Sequence, residues 1–410
     1  MKVHIIFPRW PKIPEQTPFE LPPLGYIQAA ACVPDGIEVG ATNDHVQEVD
    51  LDGDYDLVGI SLMLSCQAPR AYELAKEFRA RGKTVVLGGQ HVKLRPEEAM
   101  EHADAIVVGE AEGVLEQLVE DFRAGSLKKR YERENFARAG QIPFPRRDLL
   151  NKEELYTVRG WEMVDLLQTS RGCGFKCYPC SVYYLEGGEH RMWDLDHTVA
   201  DAERCSERIF IVDNSMDQNV PYQKELMSAL SGLGKRFISH PINPSHEVLK
   251  LAQKAGWWYV YLAIFKISQK VRERIKMYHD YGIGVEGTIM LGVNDQDEDA
   301  IRRLVDFLLD IDLDLAEFTI LTPFPHTRTW KHLEEEGRII DRDWSHYNAS
   351  HVVFKPARMT PEKLQELYQE AWKTFYAKES QELKMGKLLL SVLKSSGKRR
   401  RALDREELKK

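Results

Sequence analysis

The sequence predicts an α/β protein with a doubly wound N-terminal domain, then a partial β/α barrel, then a C-terminal helical segment. Three observations carry this. Residues 2–125 alternate short Val/Ile/Leu-rich runs with amphipathic helical patterns, as in a parallel sheet covered on both faces. A second series of apolar runs, each preceded or followed by helical pattern, begins at "VDLLQTS" and ends at "LAEFTILTPF". Near the end, "TPEKLQELYQEAWKTFYAK" repeats its apolar residues with a clear helical period, with Thr360 as N-cap and Glu362 in the first turn.

In chain order, the strands expected in the first domain are "KVHIIFP", "EVGATND", "LVGISLM", "TVVLGGQ" and "AIVVGE". The helices are "LGYIQAAACV", "APRAYELAKEFRARG", "PEEAMEHA" and "VLEQLVEDFRAG". Sheets of this kind bind ligands at the carboxyl ends of their strands. The third strand runs into "SLMLSCQAP", the fourth into "GGQH" at 88–91, and the fifth into "GEAEG" at 109–113. Glycine after one strand makes a turn; glycines after two adjacent strands mark an edge where backbone approaches a large ligand. No G-x-G-x-x-G follows the first strand. The long, proline-rich "FPRWPKIPEQTPFELPPLGY" stands there, which disfavours a nicotinamide or flavin dinucleotide.

The barrel strands expected after "VDLLQTS" are "RIFIVDN", "KRFISHP", "WWYVYLAI", "VEGTIMLGV" and "LAEFTILTPF". Polar residues at their ends, where barrels place their chemistry, are Asp213, Asn214, His240, Glu286, Glu317, Thr319, Thr322 and His326. The 410 residues allow two to three domains, placed at 1–130, a linker at 131–160, the barrel at 161–345 and a helical region with a basic tail at 346–410.

A net charge of −8 does not favour non-specific binding to nucleic acid, and the basic block "KSSGKRRRALDREELKK" reads as a solvated tail. The start, "MKVHIIFPRWPK", is not a secretory signal, and no stretch approaches eighteen apolar residues. Cys32, Cys66 and Cys205 are scattered singly and read as small buried hydrophobes in a reducing compartment. A cytoplasmic monomer acting on a small molecule is expected, without nucleic acid or a membrane span.

The densest signal is "TSRGCGFKCYPCSVYYLEGGEHR", which places Cys173, Cys177 and Cys180 within eight residues just past the first barrel strand. Structural zinc needs four ligands, and neither His190 nor His197 completes a familiar spacing. An iron–sulfur cluster held by three thiolates leaves one iron open to a substrate or cosubstrate. Gly172 and Gly174 suit a tight loop around an inorganic core. Tyr183 and Tyr184 either belong to the core or line the active site.

The C-x3-C-x2-C spacing after a first barrel strand resembles the radical S-adenosylmethionine (SAM) superfamily, and the N-terminal domain resembles those of its cobalamin-dependent branch. "PPLGYIQAAA", "GISLM", the "LGG-H" loop with "PEEA", "VVGEAEG", "TSRGC", "FIVDN", "FTILTPFPHT" and "DWSHYNASHVVFKP" recur there in this order. The resemblance implies a Rossmann-like cobalamin-binding domain fused to a partial (β/α)6 radical SAM barrel. It implies a [4Fe-4S] cluster on Cys173, Cys177 and Cys180, with SAM on the open iron. It also implies an external electron donor of the ferredoxin or flavodoxin type. Cobalamin would be contacted by Ser61, Leu62, Met63, Gln67, Gly88, Gly89, His91, Gly109, Glu110 and Glu112. His240 and Thr322 are further cofactor contacts, and Asp213, Asn214, Glu317 and Tyr184 the catalytic candidates. No D-x-H-x-x-G follows the first strand, and the "DHV" at Asp44 lacks the glycine. Cobalamin would therefore bind base-off, its lower face on the 62–67 loop and Cys66 not a ligand.

Two positions depart from the family pattern. Pro179 precedes the third cysteine where an aromatic residue is usual, with Tyr178 one place early. "YLAIFKISQK" carries Ala263, Phe265 and Lys266 where a glycine and an acidic residue often stand, and the next helix reads as short. The implied activity is methylation of an unactivated carbon of a small-molecule or lipid-like metabolite. Non-methylating ring formation or contraction, a cobalamin-binding protein without turnover, and a structural zinc protein are the rivals. Methylthiotransferases share the cysteine loop but need three further cysteines in the first domain, which here has only Cys32 and Cys66.

Overall fold

A computed structural model describes residues 1–11, 21–150, 164–178, 180–381, 383–388 and 390. It divides into two compact units: Met1–Asp201 with Thr322–Lys355, and Ala202–Leu321 with Pro356–Lys410.

The first unit is built on strands β1 (Lys2–Phe7), β2 (Glu38–Asn43), β3 (Leu57–Ser61), β4 (Thr84–Gly88), β5 (Ala105–Val108) and β6 (Arg130–Glu132). All pair in parallel, in the order β2-β1-β3-β4-β5-β6. The order reverses at β1, so the switch point lies between β1 and β3. Helices α1 (Leu24–Ala30), α2 (Ala68–Ala80), α3 (Gln90–Leu94), α4 (Pro96–His102) and α5 (Val114–Arg123) connect them. Because strand side chains alternate, Val3, Ile5 and Phe7 of β1 join α1 and α5 in one core. Ile6 joins Leu74 and Phe78 of α2, Val92 of α3 and Ala99 of α4 in the other. Burying a side chain such as Phe78 contributes about 1.5–3 kcal/mol, and the two cores make the sheet doubly wound.

β6 and α3 were not expected. β6 has one buried residue, Tyr131, too few for a periodic signal. α3 has five residues and starts directly after Gly89.

The next elements are β7 (Val164–Leu167), β8 (Ser170–Arg171), α6 (Val182–Leu185), β9 (Arg191–Met192) and α7 (Leu195–Arg204). β8 and β9 pair antiparallel, so residues 172–190, with all three clustered cysteines, form the loop of a hairpin. The expected linker is only partly such. Within 131–150, Arg147 donates to Leu166 O at 2.8 Å and to Asp201 Oδ2 at 2.9 Å. Gln28 Nε2 donates to Pro143 O at 2.9 Å, and Ala137 and Ile142 pack with Trp193. This stretch is therefore an integral part of the first unit; residues 151–160 lie outside the described residues.

The second unit repeats strand and helix: β10 (Arg208–Ile211), α8 (Val220–Leu230), β11 (Arg236–Ser239), α9 (His246–Ala255), β12 (Trp257–Ala263), α10 (Gln269–Asp280), β13 (Gly284–Leu291), α11 (Glu298–Asp310) and β14 (Leu315–Ile320). Successive strands are parallel neighbours, the β/α arrangement expected. α10, expected to be short, has 12 residues, with Ser268 accepting from Lys270 N at its start. Its apolar face is narrow, Ile275 and Tyr278, which hid it from a periodicity reading. The returning segment of the first unit carries α12 (Arg328–Glu335), and α13 (Pro361–Phe375) closes the second unit. As expected, Thr360 caps α13 by accepting from Lys363 N, and Glu362 sits in its first turn. Trp372 and Phe375 of α13 pack edge-on against Phe318 of β14.

Candidate functional site

The ends of β3, β4 and β5 separate residues that hold the fold from residues that face outward. After β3, Leu62 is fully buried in the sheet core; its N–H donates to Gly88 O at 2.8 Å and its carbonyl accepts from His91 N at 3.3 Å. Gly89 adopts φ +103°, and a Cβ there would lie 2.3 Å from Leu62 O. Its glycine is thus required by backbone packing. His91, expected at the cofactor, is fully buried. Its Nδ1 lies 3.0 Å from Ser65 Oγ and its Nε2 3.2 Å from the Tyr72 hydroxyl. Leu62 and His91 therefore each have a role in the packing of the fold.

Gln67 is likewise buried: Oε1 accepts from Leu64 N at 2.9 Å, and Nε2 donates to Pro8 O at 2.5 Å. Burial pushes the Cys66 thiol up to about 12, which keeps it protonated. In the 62–67 loop, Met63 is the outward residue, 42% exposed, beside half-buried Ser61. At the end of β5, Gly109 has φ +89° with nothing within 4 Å of its would-be Cβ, so this backbone faces open space.

The two acidic residues after Gly109 are engaged elsewhere. Glu110 Oε1 lies 2.8 Å from Arg191 Nη1 and 3.3 Å from Arg171 Nη1. Glu110 Oε2 also accepts from Ala137 N at 2.6 Å. Glu112 Oε1 accepts from Arg171 Nη2 at 2.8 Å. Burial pushes the Glu110 carboxyl up, but Arg171, the Ala137 N–H and Arg191 together hold it below the usual carboxylate range. Both carboxylates, expected on a cofactor tail, are instead paired with arginines flanking the cysteine loop. Neither arginine was singled out from the sequence; the available signal was their position just outside the cysteines, in "TSRGC" and "GEHR".

In the hairpin loop, Gly172 has φ +80° and a Cβ there would meet Glu189 O at 2.1 Å, so only glycine closes the hairpin. Cys173 is buried, Cys177 and Cys180 are exposed, and none is in a disulfide. Cys180 N donates to Cys177 O at 3.0 Å. Among the described residues, no three His, Cys, Asp or Glu side chains converge as a metal-binding group. His197 stacks on Phe144 with ring centroids 4.4 Å apart, which places it in a packed wall. Phe175, Tyr178 and Tyr184 are exposed around the cysteines, and Tyr178 hydrogen-bonds Thr329. Pro179 lies outside the described residues.

In the second unit, Asp213 is buried and Asn214 half-buried at the end of β10. Burial lowers the His240 pKa, opposed by backbone hydrogen bonds at Asn214 and Asp213, so these three residues form one group. Glu286 is buried and accepts from the Tyr259 hydroxyl. Glu317 and Thr319 are half-buried, with Thr319 Oγ1 donating to Ile289 O at 3.4 Å. Ala263, the last residue of β12, and Phe265 and Lys266 just after it are exposed. Thr322 and His326 belong to the first unit; Thr322 is buried, and His326 is exposed at φ +59°.

Comparison with known proteins matches residues 15–119 to the B12 binding domain family and residues 327–409 to a domain of unknown function. The chain is 30% identical to bacteriochlorophyllide d C-8(2)-methyltransferase of Chlorobaculum tepidum, over 77% of this chain and 76% of that protein. It is 26% identical to the C-12(1)-methyltransferase of the same organism, over 79% of this chain and 75% of that protein. In fold it is similar to the radical SAM methyltransferase TsrM of Kitasatospora setae, solved with cobalamin and a [4Fe-4S] cluster bound. That match has a TM-score of 0.69 at 14% identity and covers 91% of this chain and 88% of the other. With its doubly wound first domain, its β/α second unit and this extent of identity, the chain belongs to the cobalamin-dependent radical SAM enzyme family and is a radical SAM methyltransferase.

Proposed function

We propose that this enzyme transfers a methyl group to an unactivated carbon of a small, apolar or lipid-like metabolite. The observation that carries the reading is the identity, across both halves of the chain, to an enzyme named for methylating a carbon of bacteriochlorophyllide d. Cys173, Cys177 and Cys180 are the cluster ligands. Their donor chemistry fits: three thiols, none of them in a disulfide, lie on one hairpin loop, and two already reach solvent. The β3 and β5 ends fit base-off cobalamin, since Gly109 opens onto free space and Met63 and Ser61 face outward while Cys66 is held as a buried thiol.

When bound, the cluster supplies the electron that cleaves SAM, and methylcobalamin supplies the methyl group. The chain's own residues bind and orient. Asp213, Asn214 and His240 form one polar group at the β10 and β11 ends for the cosubstrate. In the second unit, Glu317 of β14 is a substrate contact; in the first unit, Thr322 and Tyr184 are. Within the first unit, the exposed side chains of Phe175 and Tyr184 suit an apolar substrate. A ferredoxin- or flavodoxin-type protein delivers the electron.

The test is anaerobic incubation of the reconstituted enzyme with SAM, a strong reductant, methylcobalamin and extract. S-adenosylhomocysteine is expected to accumulate alongside 5′-deoxyadenosine. 5′-Deoxyadenosine alone would replace methyl transfer with ring-forming radical chemistry, and neither product would mean a cofactor carrier.

A further inference from the structure

The hairpin register sets two arginines against each other. Arg171 of β8 is the cross-strand partner of Arg191 of β9. Like charges directly opposite in an antiparallel pair destabilise it, and both guanidiniums are nearly buried, where repulsion is poorly screened. Most of the counter-charge comes from outside the hairpin, and one carboxylate, Glu186, from its own loop. Glu110 Oε1 sits between the two arginines, Glu112 takes the outer side of Arg171, and Arg191 Nη2 is 3.7 Å from Glu186 Oε2. Arg191 also donates to Ala137 O at 3.0 Å and lies over the Phe136 ring at 4.4 Å. Further along the same loop, Gly187 has φ +74°, and a Cβ there would strike that ring, so the loop is fitted tightly to this wall.

The carboxylates begin one residue after Gly109, whose backbone faces open space at the end of β5. The arginines end the loop that carries Cys173, Cys177 and Cys180. We propose that Glu110 and Glu112 are positioning residues, a two-carboxylate clasp that holds the cysteine-bearing hairpin shut against the β5 end. The inference rests on the reading of those cysteines as cluster ligands only for its purpose; the ion pairs of the clasp involve none of the cysteines. It fixes the base of the cysteine loop relative to the backbone at Gly109, so that the two cofactor-bearing edges of the first unit keep one spacing.

The test uses the full-length, cluster-free protein. The rate at which iodoacetamide alkylates Cys173, which is buried, is read by peptide mass spectrometry in wild type, Glu110→Gln, Arg191→Met and the double variant. Each single change is expected to speed alkylation about tenfold, and the double change no more than either alone, because removing one partner strands the other charge while removing both does not. Charge-conserving Glu110→Asp and Arg191→Lys are expected to fall between wild type and the neutral variants. They carry the test should Glu110→Gln fail to fold. Unchanged rates in folded variants, or effects of the two changes that multiply, would overturn the clasp. Iron content of reconstituted wild type is measured in parallel. A wild type that takes up no iron refutes the ligand assignment and leaves the alkylation result to decide the clasp.

Discussion

Replacing Gly89 by alanine should unfasten β3 from β4, whereas the same change at Gly109 should leave the sheet intact. Gly89 has φ +103° and ψ −173°, a region essentially closed to residues with a Cβ, at a cost of order 1–3 kcal/mol. The added Cβ would also stand 2.3 Å from Leu62 O, 2.8 Å from Leu62 C and 2.9 Å from Leu62 N, all backbone atoms with no rotamer to yield. Moving that peptide disturbs two hydrogen bonds, Leu62 N to Gly88 O and His91 N to Leu62 O, at about 1 kcal/mol each. The sum is about 3–5 kcal/mol. Gly109 has positive φ but open space, so its change costs the backbone term alone, about 1–2 kcal/mol.

A chain with two compact units has no single unfolding free energy, so the assay is native-state amide exchange read on β3, β4 and Leu62. Protection there should fall by more than about a hundredfold in Gly89→Ala, since each 1.36 kcal/mol is a factor of ten. It should fall by only about five- to thirtyfold in Gly109→Ala. Cobalamin affinity should show the reverse selectivity per unit of lost protection, as the proposed placement of Gly109 on the cofactor side requires. Equal protection in the two variants, or greater loss in Gly109→Ala, would refute the division between a packing glycine and a ligand-facing one.

Three further outcomes are expected. Cys173→Ala, Cys177→Ala and Cys180→Ala should each abolish the broad visible absorption of the reconstituted cluster and leave cobalamin binding largely intact; full iron content in any one would remove that cysteine from the ligand set. Electron paramagnetic resonance of the bound cob(II)alamin should show no superhyperfine splitting from an axial nitrogen, since His91 is buried in the fold and no histidine motif follows β1. His4 is held near 4 by burial, with Lys2 adding to the effect, so the folded chain keeps a neutral ring that the unfolded chain protonates below about 6.5. Stability from this group is complete above pH 6.5 and is lost as pH falls towards 4, by about 3 kcal/mol; His4→Phe should flatten that part of the pH profile of amide-exchange protection on β1, and an unchanged slope would clear His4 of the effect.

The five long strands of the first sheet and the strands of the barrel were legible because both faces of a parallel sheet are covered, so nearly every residue in a run such as "AIVV" is apolar. The helix at 361–375 was legible from its period and its cap. What sequence could not give was partnership. A histidine after two glycines and carboxylates after a strand look the same whether they meet a ligand or a distant side chain. His91 finds Ser65 and Tyr72, and Glu110 finds Arg171 and Arg191, because the fold brings them together. The cysteines were legible because their partnership is local, three thiols in one loop.

The same distinction explains why so few residues at the sheet edge remain for the cofactor. A polar group buried there costs free energy unless a partner within the protein compensates it. Gln67 and His91 find a backbone carbonyl, a serine and a tyrosine, and the acidic pair faces arginines, although Glu110 Oε1 and Glu112 Oε2 are buried without a hydrogen bond. A large ligand binding this edge is therefore left mainly with backbone and apolar surface: Gly109, Ser61 and the exposed thioether of Met63. Among the described residues, Gly109, Ser61 and Met63 offer no strong nitrogen donor, and burial holds Cys66 as a thiol. Such a surface would suit the base-off corrin proposed above, whose lower face must meet no competing ligand, and in the 62–67 loop Ser65, Cys66 and Gln67 are all turned inward.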